Sequence, residues 1–415
     1  MRLRYLHLRN ATAAVVLFAL VGCGSSPGLP PASVVAPPSS IQSATTDTAS
    51  TGSSTPGPTP AIVSVTLSPS TGVPAVIDTT SPSTTTAVPS NWVDVTGNLV
   101  GIESECGNVS IVASSPSTAT EVAVIALHGA FAMNGNNDKW VPLGAGVGSA
   151  TITNRGMTIV FDPAKATTFW EVGAYNGGGI YRTDDAGETF QQLGPLTHID
   201  ALAIDFQDPL RQSMIAVVHE ASKMYRSADG GATWTEISQA LPIDVGYLSG
   251  PSILGPDKYL VGSRNDTGSG IFMTVDGGST WSKVFQGGVT GYPVVPALDG
   301  VVYWAREKGG IVASTDTGAN WTAIADGMVT SAVPINLVGL ADGRIATLGF
   351  KDRILASSDR GRTWSYIGPT LPFAPNGISY SRVENAFYAW HLDCNLAGTN
   401  VVRAQSIVRL DVGGT

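Results

Sequence analysis

Five carboxylates recur in one frame. Asp185, Asp229, Asp276, Asp316 and Asp359 each stand in S/T-x-D-x-G-x-T/N-W/F, as in Thr274-Val275-Asp276-Gly277-Gly278-Ser279-Thr280-Trp281. A carboxylate among hydroxyls can act as an acid or a base. Asp and Ser/Thr beside glycine are also what a tight turn requires, because their oxygens bond nearby backbone N–H groups. Gly187, Gly231, Gly278, Gly318 and Gly361 can supply a positive φ, and the closing aromatic has a large apolar body to bury. The frame therefore reads as structural. The remaining groups with chemistry in them are scattered: His128, His219 and His391, Arg264, Arg306 and Lys351, Tyr175, and the glutamates Glu171, Glu220 and Glu307. The histidines are dispersed at blade spacing rather than four residues apart, so neither a metal nor any other cofactor is expected. No Gly-x-Ser-x-Gly elbow occurs, and no catalytic residue can be assigned. A net charge of −9 with a pI near 5 argues against nucleic acid as a partner.

The elements that position these groups follow from the spacing of the aspartates, which is 44, 47, 40 and 43 residues. A steady period in the forties means one supersecondary unit per repeat. The frame and its period resemble the Asp-box repeat of bacterial neuraminidases. That resemblance implies a β-propeller with one four-stranded blade per repeat. It says little about activity, since sialidases, xyloglucanases, sortilin-type receptors and photosystem II assembly factors share the box. The fold expected is all-β, a single seven-bladed propeller over 91–415, with the boxes as the turns between third and fourth strands. In one repeat the four strands read as Met157 to Phe161, Thr168 to Ala174, Gly179 to Thr183 and Phe190 to Leu193. The next reads as Ala201 to Asp205, Met214 to Val218, Lys223 to Ser227 and Trp234 to Ile237, all rich in β-branched and aromatic residues. The first blade is degenerate: Trp140 is in register, without an aspartate at the usual place. The last repeat has three strands, Gly377 to Ser381, Ala386 to His391 and Ser406 to Leu410. The spare segment Asn91 to Val95, whose Trp92 lies 48 residues before Trp140, is expected to complete it and close the ring.

In Asp-box propellers the site lies opposite the boxes, where the second strands end. That position falls, blade by blade, on His128, Tyr175, His219, Arg264, Arg306, Lys351 and His391, with Asn176, Glu220, Asn265 and Glu307 close by. In so acidic a chain this is a local reversal of sign, suited to an anionic or polar ligand. The plainer reading is that strand ends are polar because they reach water.

Residues 1–22 read as a secretion signal, with Arg2, Arg4 and Arg9 before an apolar run. Leu20-Val21-Gly22-Cys23 resembles a bacterial lipobox. The resemblance implies lipid on Cys23 and an extracytoplasmic, membrane-anchored protein, at the outer membrane in a Gram-negative host. Gly24 to Ser90 holds 12 prolines and 28 serines or threonines and only two charges, Asp47 and Asp78. It cannot bury enough apolar surface to order itself, and as a coil would span ~45 Å. Residues 23–90 are thus expected to be a lipidated tether. Strand directions put Cys106 and Cys394 on one face in neighbouring blades, where an oxidising compartment favours a disulfide.

Two function classes remain. A sialidase-like enzyme needs an arginine trio and a Tyr–Glu pair; its first arginine typically sits in R-I/V-P, and no Arg-x-Pro occurs here. A xyloglucanase-like enzyme is similar to two tandem propellers with a carboxylate on each side of a cleft, and here there is one propeller. Glu171, Glu220 and Glu307 show no spacing that singles out an acid–base pair. The expectation is a monomeric, membrane-tethered binding or scaffold propeller for an acidic or polar protein or glycan ligand. A glycoside hydrolase is the alternative.

Overall fold

The computed structural model describes residues 91–102, 109–135, 138–264, 267–294, 300–325, 337–349, 352–391 and 406–412. Cys23, Cys106, Cys394, Lys351, Asn265 and the whole of 1–90 lie outside them. Seven antiparallel four-stranded sheets follow one another along the chain. The protein is an all-β, seven-bladed propeller. Among the described residues helix is confined to the 3-10 turn Gly97–Leu99.

The inner strands are Ile111–Ser114, Arg155–Phe161, Ile199–Ile204, Tyr247–Gly255, Val289–Val294, Val338–Gly339 and Gly377–Ser381. The second strand of each blade is sandwiched between two other blades, which is why it shows no polar alternation. In blade three, Met214–Val218, Ile215 and Val217 pack with Tyr259 and Val261 of blade four. Met214 and Ala216 pack with Trp170 and Val172 of blade two. Both faces are core, so the run is apolar throughout. Strand limits differ from the sequence reading by one or two residues, as in Arg155–Phe161 and Ile199–Ile204. The outermost strand is only two residues long in blades one, two, three and seven, as in Gln191–Gln192, and three to five residues long in the others.

The seventh sheet takes strands from both ends of the described chain, in the order Val93–Asp94, Ile407–Asp411, Ala386–Trp390, Gly377–Ser381. Val93 pairs with Arg409 and Asp94 with Val408. The buried Thr96 hydroxyl accepts from the N–H groups of Ser406 and Ile407, at 2.8 and 3.0 Å. The indole of Trp140, in blade one, donates to Val95 O at 2.8 Å.

The five repeated turns share one geometry. In blade four, Thr274 Oγ1 donates to Asp276 Oδ1 at 2.7 Å and accepts from Gly278 N at 3.0 Å. Asp276 then accepts from Thr280 N at 2.9 Å and from Thr280 Oγ1 at 2.6 Å. The Thr280 bonds pull the Asp276 carboxyl down to about 2, and the corresponding bonds do the same for Asp229, Asp316 and Asp359. Gly278 has φ +96° and its Cα lies so near Ile237 that a Cβ would fall 2.7 Å from Ile237 Cβ. The glycine is needed both for its dihedral and for the closeness of the next blade.

Candidate functional site

The turns between second and third strands lie at the opposite end of the sheets from the repeated turns. In blade two the strand Phe169–Ala174 runs into Tyr175 and Asn176, at φ 59° and 46°. In blade three Met214–Val218 runs into His219 and Glu220, the latter at φ 49°. His198, at φ 57°, precedes the inner strand Ile199–Ile204 of the same blade. Four non-glycine residues in the left-handed region, on two adjacent blades, store backbone strain of the kind that gathers at functional sites.

These loops bring three side chains into one hydrogen-bonded line. Asp200 Oδ1 is 2.6 Å from His219 Nδ1, and His219 Nε2 is 2.8 Å from the Tyr175 hydroxyl. A carboxylate only accepts, so Nδ1 carries the hydrogen. In the neutral ring Nε2 is then the acceptor and the Tyr175 O–H the donor. The Tyr175 ring meets His219 and His198 edge-on, at 5.0 and 5.7 Å between centroids. Glu220 Oε1 lies 3.8 Å from His219 Nε2, with its carboxylate mostly in water. Asp200 and His198 were missed in the sequence. The available signal was a lone carboxylate inside the apolar run Ile199-Asp200-Ala201-Leu202.

Of the seven strand-end positions, Tyr175 and His219 meet directly. Arg264, half-buried, ends the second strand of blade four opposite Tyr247. Arg306 ends that of blade five, half-buried, its N–H bonded to Gly310 O. His128 sits exposed in the turn of blade one. His391 follows strand Ala386–Trp390 in blade seven. Its Nδ1 donates to Ala374 O at 2.6 Å and its ring packs on Phe373. Lys351 lies outside the described residues.

The seven inner strands surround one axial cavity of about 710 Å³. Asp200 and Arg264 are on its wall; His128, Tyr175, His219, Arg306 and His391 are not. Most of the wall is apolar, including Met157, Ile159, Val160, Ala203, Ile253 and Val338. From blade five the phenol of Tyr292 crosses to blades two and three. Its oxygen accepts from Leu202 N at 2.8 Å and lies 3.2 Å from Leu202 O and 3.4 Å from Thr158 Oγ1. Burial holds the Tyr292 phenol well above its usual range.

The candidate glutamates do not form a pair. Glu171 is fully buried; burial raises it to about 8, opposed in part by a 3.1 Å bond from Asn154 Nδ2. Glu220 is exposed beside His219, and Glu307 follows Arg306 in blade five, its N–H bonded to Gly288 O. Among the described cavity-lining residues Asp200 is the one carboxylate, and no three His, Cys, Asp or Glu are grouped to hold a metal.

No family model matches the chain. A xyloglucanase from a Paenibacillus species is 26% identical over 235 residues, which is 52% of this chain and 21% of that protein. The chain thus spans about a fifth of the length of that curated relative. Among solved structures, a Niastella koreensis GH74 enzyme superposes with a TM-score of 0.54 at 16% identity, covering 79% of this chain and 55% of the other. The GH74 xyloglucanase of Xanthomonas campestris gives 0.50 at 17%, covering 76% and 53%. The likeness is one of fold. At these identities it says nothing of which residues act.

Proposed function

We propose that this chain is an extracytoplasmic, membrane-tethered propeller that binds an acidic or polar protein or glycan ligand at the face opposite the repeated turns. The observation that carries the reading is the cation Arg264 on the wall of the axial cavity, one blade from the Tyr175–His219–Asp200 line. An arginine in a recess holds a carboxylate through two parallel bonds and selects for charge and shape together. Tyr175 adds an exposed aromatic edge and a hydroxyl fixed by His219, which together suit a sugar ring or a peptide. The other charged group on the described wall, Asp200, is already held by His219, so it orients the imidazole.

The test is titration calorimetry with an oligogalacturonate and with a Glu-rich peptide. Binding of either should weaken in Arg264→Ala by roughly 1.5–3 kcal/mol, the worth of a charged hydrogen bond, and Tyr175→Ala should weaken it further. Binding of both unchanged by Arg264→Ala would refute the site.

The curated relative favours a second reading, glycoside hydrolysis. It requires two carboxylates astride the bond, about 5–10 Å apart. Glu220 and Asp200 are the nearest candidates on this face. Release of reducing ends from xyloglucan by the wild type, lost in Glu220→Gln, would establish it in place of simple binding.

A further inference from the structure

The axial cavity carries its charged groups at one end, and the proposed acidic ligand at its mouth does not by itself explain the mostly apolar wall below. By strand register, Arg264 faces Tyr247 and Asp200 follows Ile199, the partner of Val218; both lie at the end away from the repeated turns. Deeper lining residues are uncharged and mostly apolar: Ile159 and Val160 pair with Glu171 and Trp170, Ile253 with Tyr259, and Val338 with Ala346, with the small polar Ser114, Ser252 and Ser379 among them. Ile159, Val160, Ala203, Ile253 and Val338 are all half-exposed, toward a space with little else to cover them.

An inner strand is a sheet edge, and bare edges would make the cavity wall polar. Side chains from other blades take up part of that edge. Tyr292 occupies the N–H of Leu202, Thr158 Oγ1 donates to Asp200 O at 2.8 Å, and Ser249 Oγ donates to Val289 O at 3.2 Å. Ser114 N donates to Ser379 Oγ at 2.9 Å. With these groups satisfied, the wall below the mouth shows less bare edge, and most of its lining is apolar.

We propose that the axial cavity binds a single-chain aliphatic carboxylate, its head on Arg264 and its chain along the apolar wall below. This rests on the reading of Arg264 as an anion-binding residue and names the class of anion. The cavity's 710 Å³ lies within the usual ~300–1,000 Å³ range of small-molecule sites and holds one such chain. Charge complementarity fixes its direction: among the described lining residues Arg264 is the cation, and Asp200, the carboxylate, is bonded to His219. The Tyr292 phenol crosses the cavity to blades two and three, so the chain must pass beside it.

Calorimetry with hexanoate, octanoate and decanoate, below their micelle concentrations, tests this on the intact protein. Affinity should rise about three- to fourfold for each added CH₂. Arg264→Gln should weaken decanoate binding at least tenfold. Ala203→Met, which fills the wall, should flatten the chain-length series; if that variant fails to fold, the series on the wild type and on Arg264→Gln decides alone. A flat series, or decanoate binding indifferent to Arg264, overturns the proposal. If decanoate does not bind while the oligogalacturonate or acidic peptide binds through Arg264, the aliphatic ligand is wrong and the acidic-ligand reading stands. If neither kind of acid depends on Arg264, both fall.

Discussion

Glu171 occupies a strand whose two faces are both core, where its apolar neighbours leave the charged form without solvation. In the folded protein it titrates near 8 rather than near its usual 4.5. The folded state therefore holds a proton that the unfolded chain gives up between those values, and stability falls as pH rises through this window. The loss is on the order of 5 kcal/mol across it. Glu121, buried between blades one and seven and likewise raised chiefly by burial, acts in the same direction. Glu171→Gln should raise the urea midpoint at pH 8 and shrink the difference between pH 5 and pH 8; an unchanged difference would show that Glu171 is solvated. The turn aspartates work with the opposite sign. Asp229, Asp276, Asp316 and Asp359 are held near 2, so their contribution is complete above the usual carboxylate range and is lost as pH falls toward 2. The urea midpoint should accordingly peak near pH 4–5 and decline on both sides. The turn aspartates were legible in the sequence because every bond they make is within four residues. Asp200 was not, because its partner His219 is brought to it by the pairing of two strands, and Glu171 read as a site candidate because burial leaves no mark on a single letter.

At the scale of elements, neighbouring blades are joined by bonds that no period announces. Arg211 and Asp162 form a two-bonded ion pair between blades three and two, at 2.8 and 3.0 Å, with both side chains nearly out of water. The hydrogen bond from Arg211 is the main reason that Asp162 stays below its ordinary range. Removing one partner strands the other charge, so Arg211→Ala should cost roughly 3–5 kcal/mol in chemical denaturation, whereas the double change to apolar residues should cost less. Thr96 is the comparable point in blade seven. Thr96→Val keeps the shape but leaves the N–H groups of Ser406 and Ile407 short of an acceptor, and should cost about 1–3 kcal/mol. A change under about 0.5 kcal/mol would mean that the strand Val93–Asp94 adds little to the sheet. Blade number and strand type were readable from the forty-odd-residue period and the β-branched runs. The ion pair was not, because Asp162 and Arg211 sit in connections, where charge looks like ordinary surface.

At the scale of the molecule, the propeller is expected to hang from a membrane by lipid on Cys23, through the Pro-, Ser- and Thr-rich 23–90 segment. Fractionation of the producing cells should find the wild type with membranes and Cys23→Ser released or unprocessed; wild-type protein wholly in the soluble fraction with an unmodified Cys23 would end that idea. The proposed Cys106–Cys394 bond is open to thiol labelling with and without reductant, and equal labelling in both would exclude it.

A ring of seven similar sectors deforms most easily by ovalising, one diameter lengthening as another shortens. Tyr292 acts against one such distortion. Its hydroxyl ties the inner strand of blade five to those of blades two and three, like a strut set across a hoop. The blades at the anchored end of that strut are the ones that carry Tyr175, His219 and Asp200. The tie should therefore hold those three groups at their spacing, while blades six and seven, which it does not reach, should be indifferent to it. Tyr292→Phe, which keeps the ring and removes the tie, should speed amide exchange at Leu202 and leave the exchange of blades six and seven as it was.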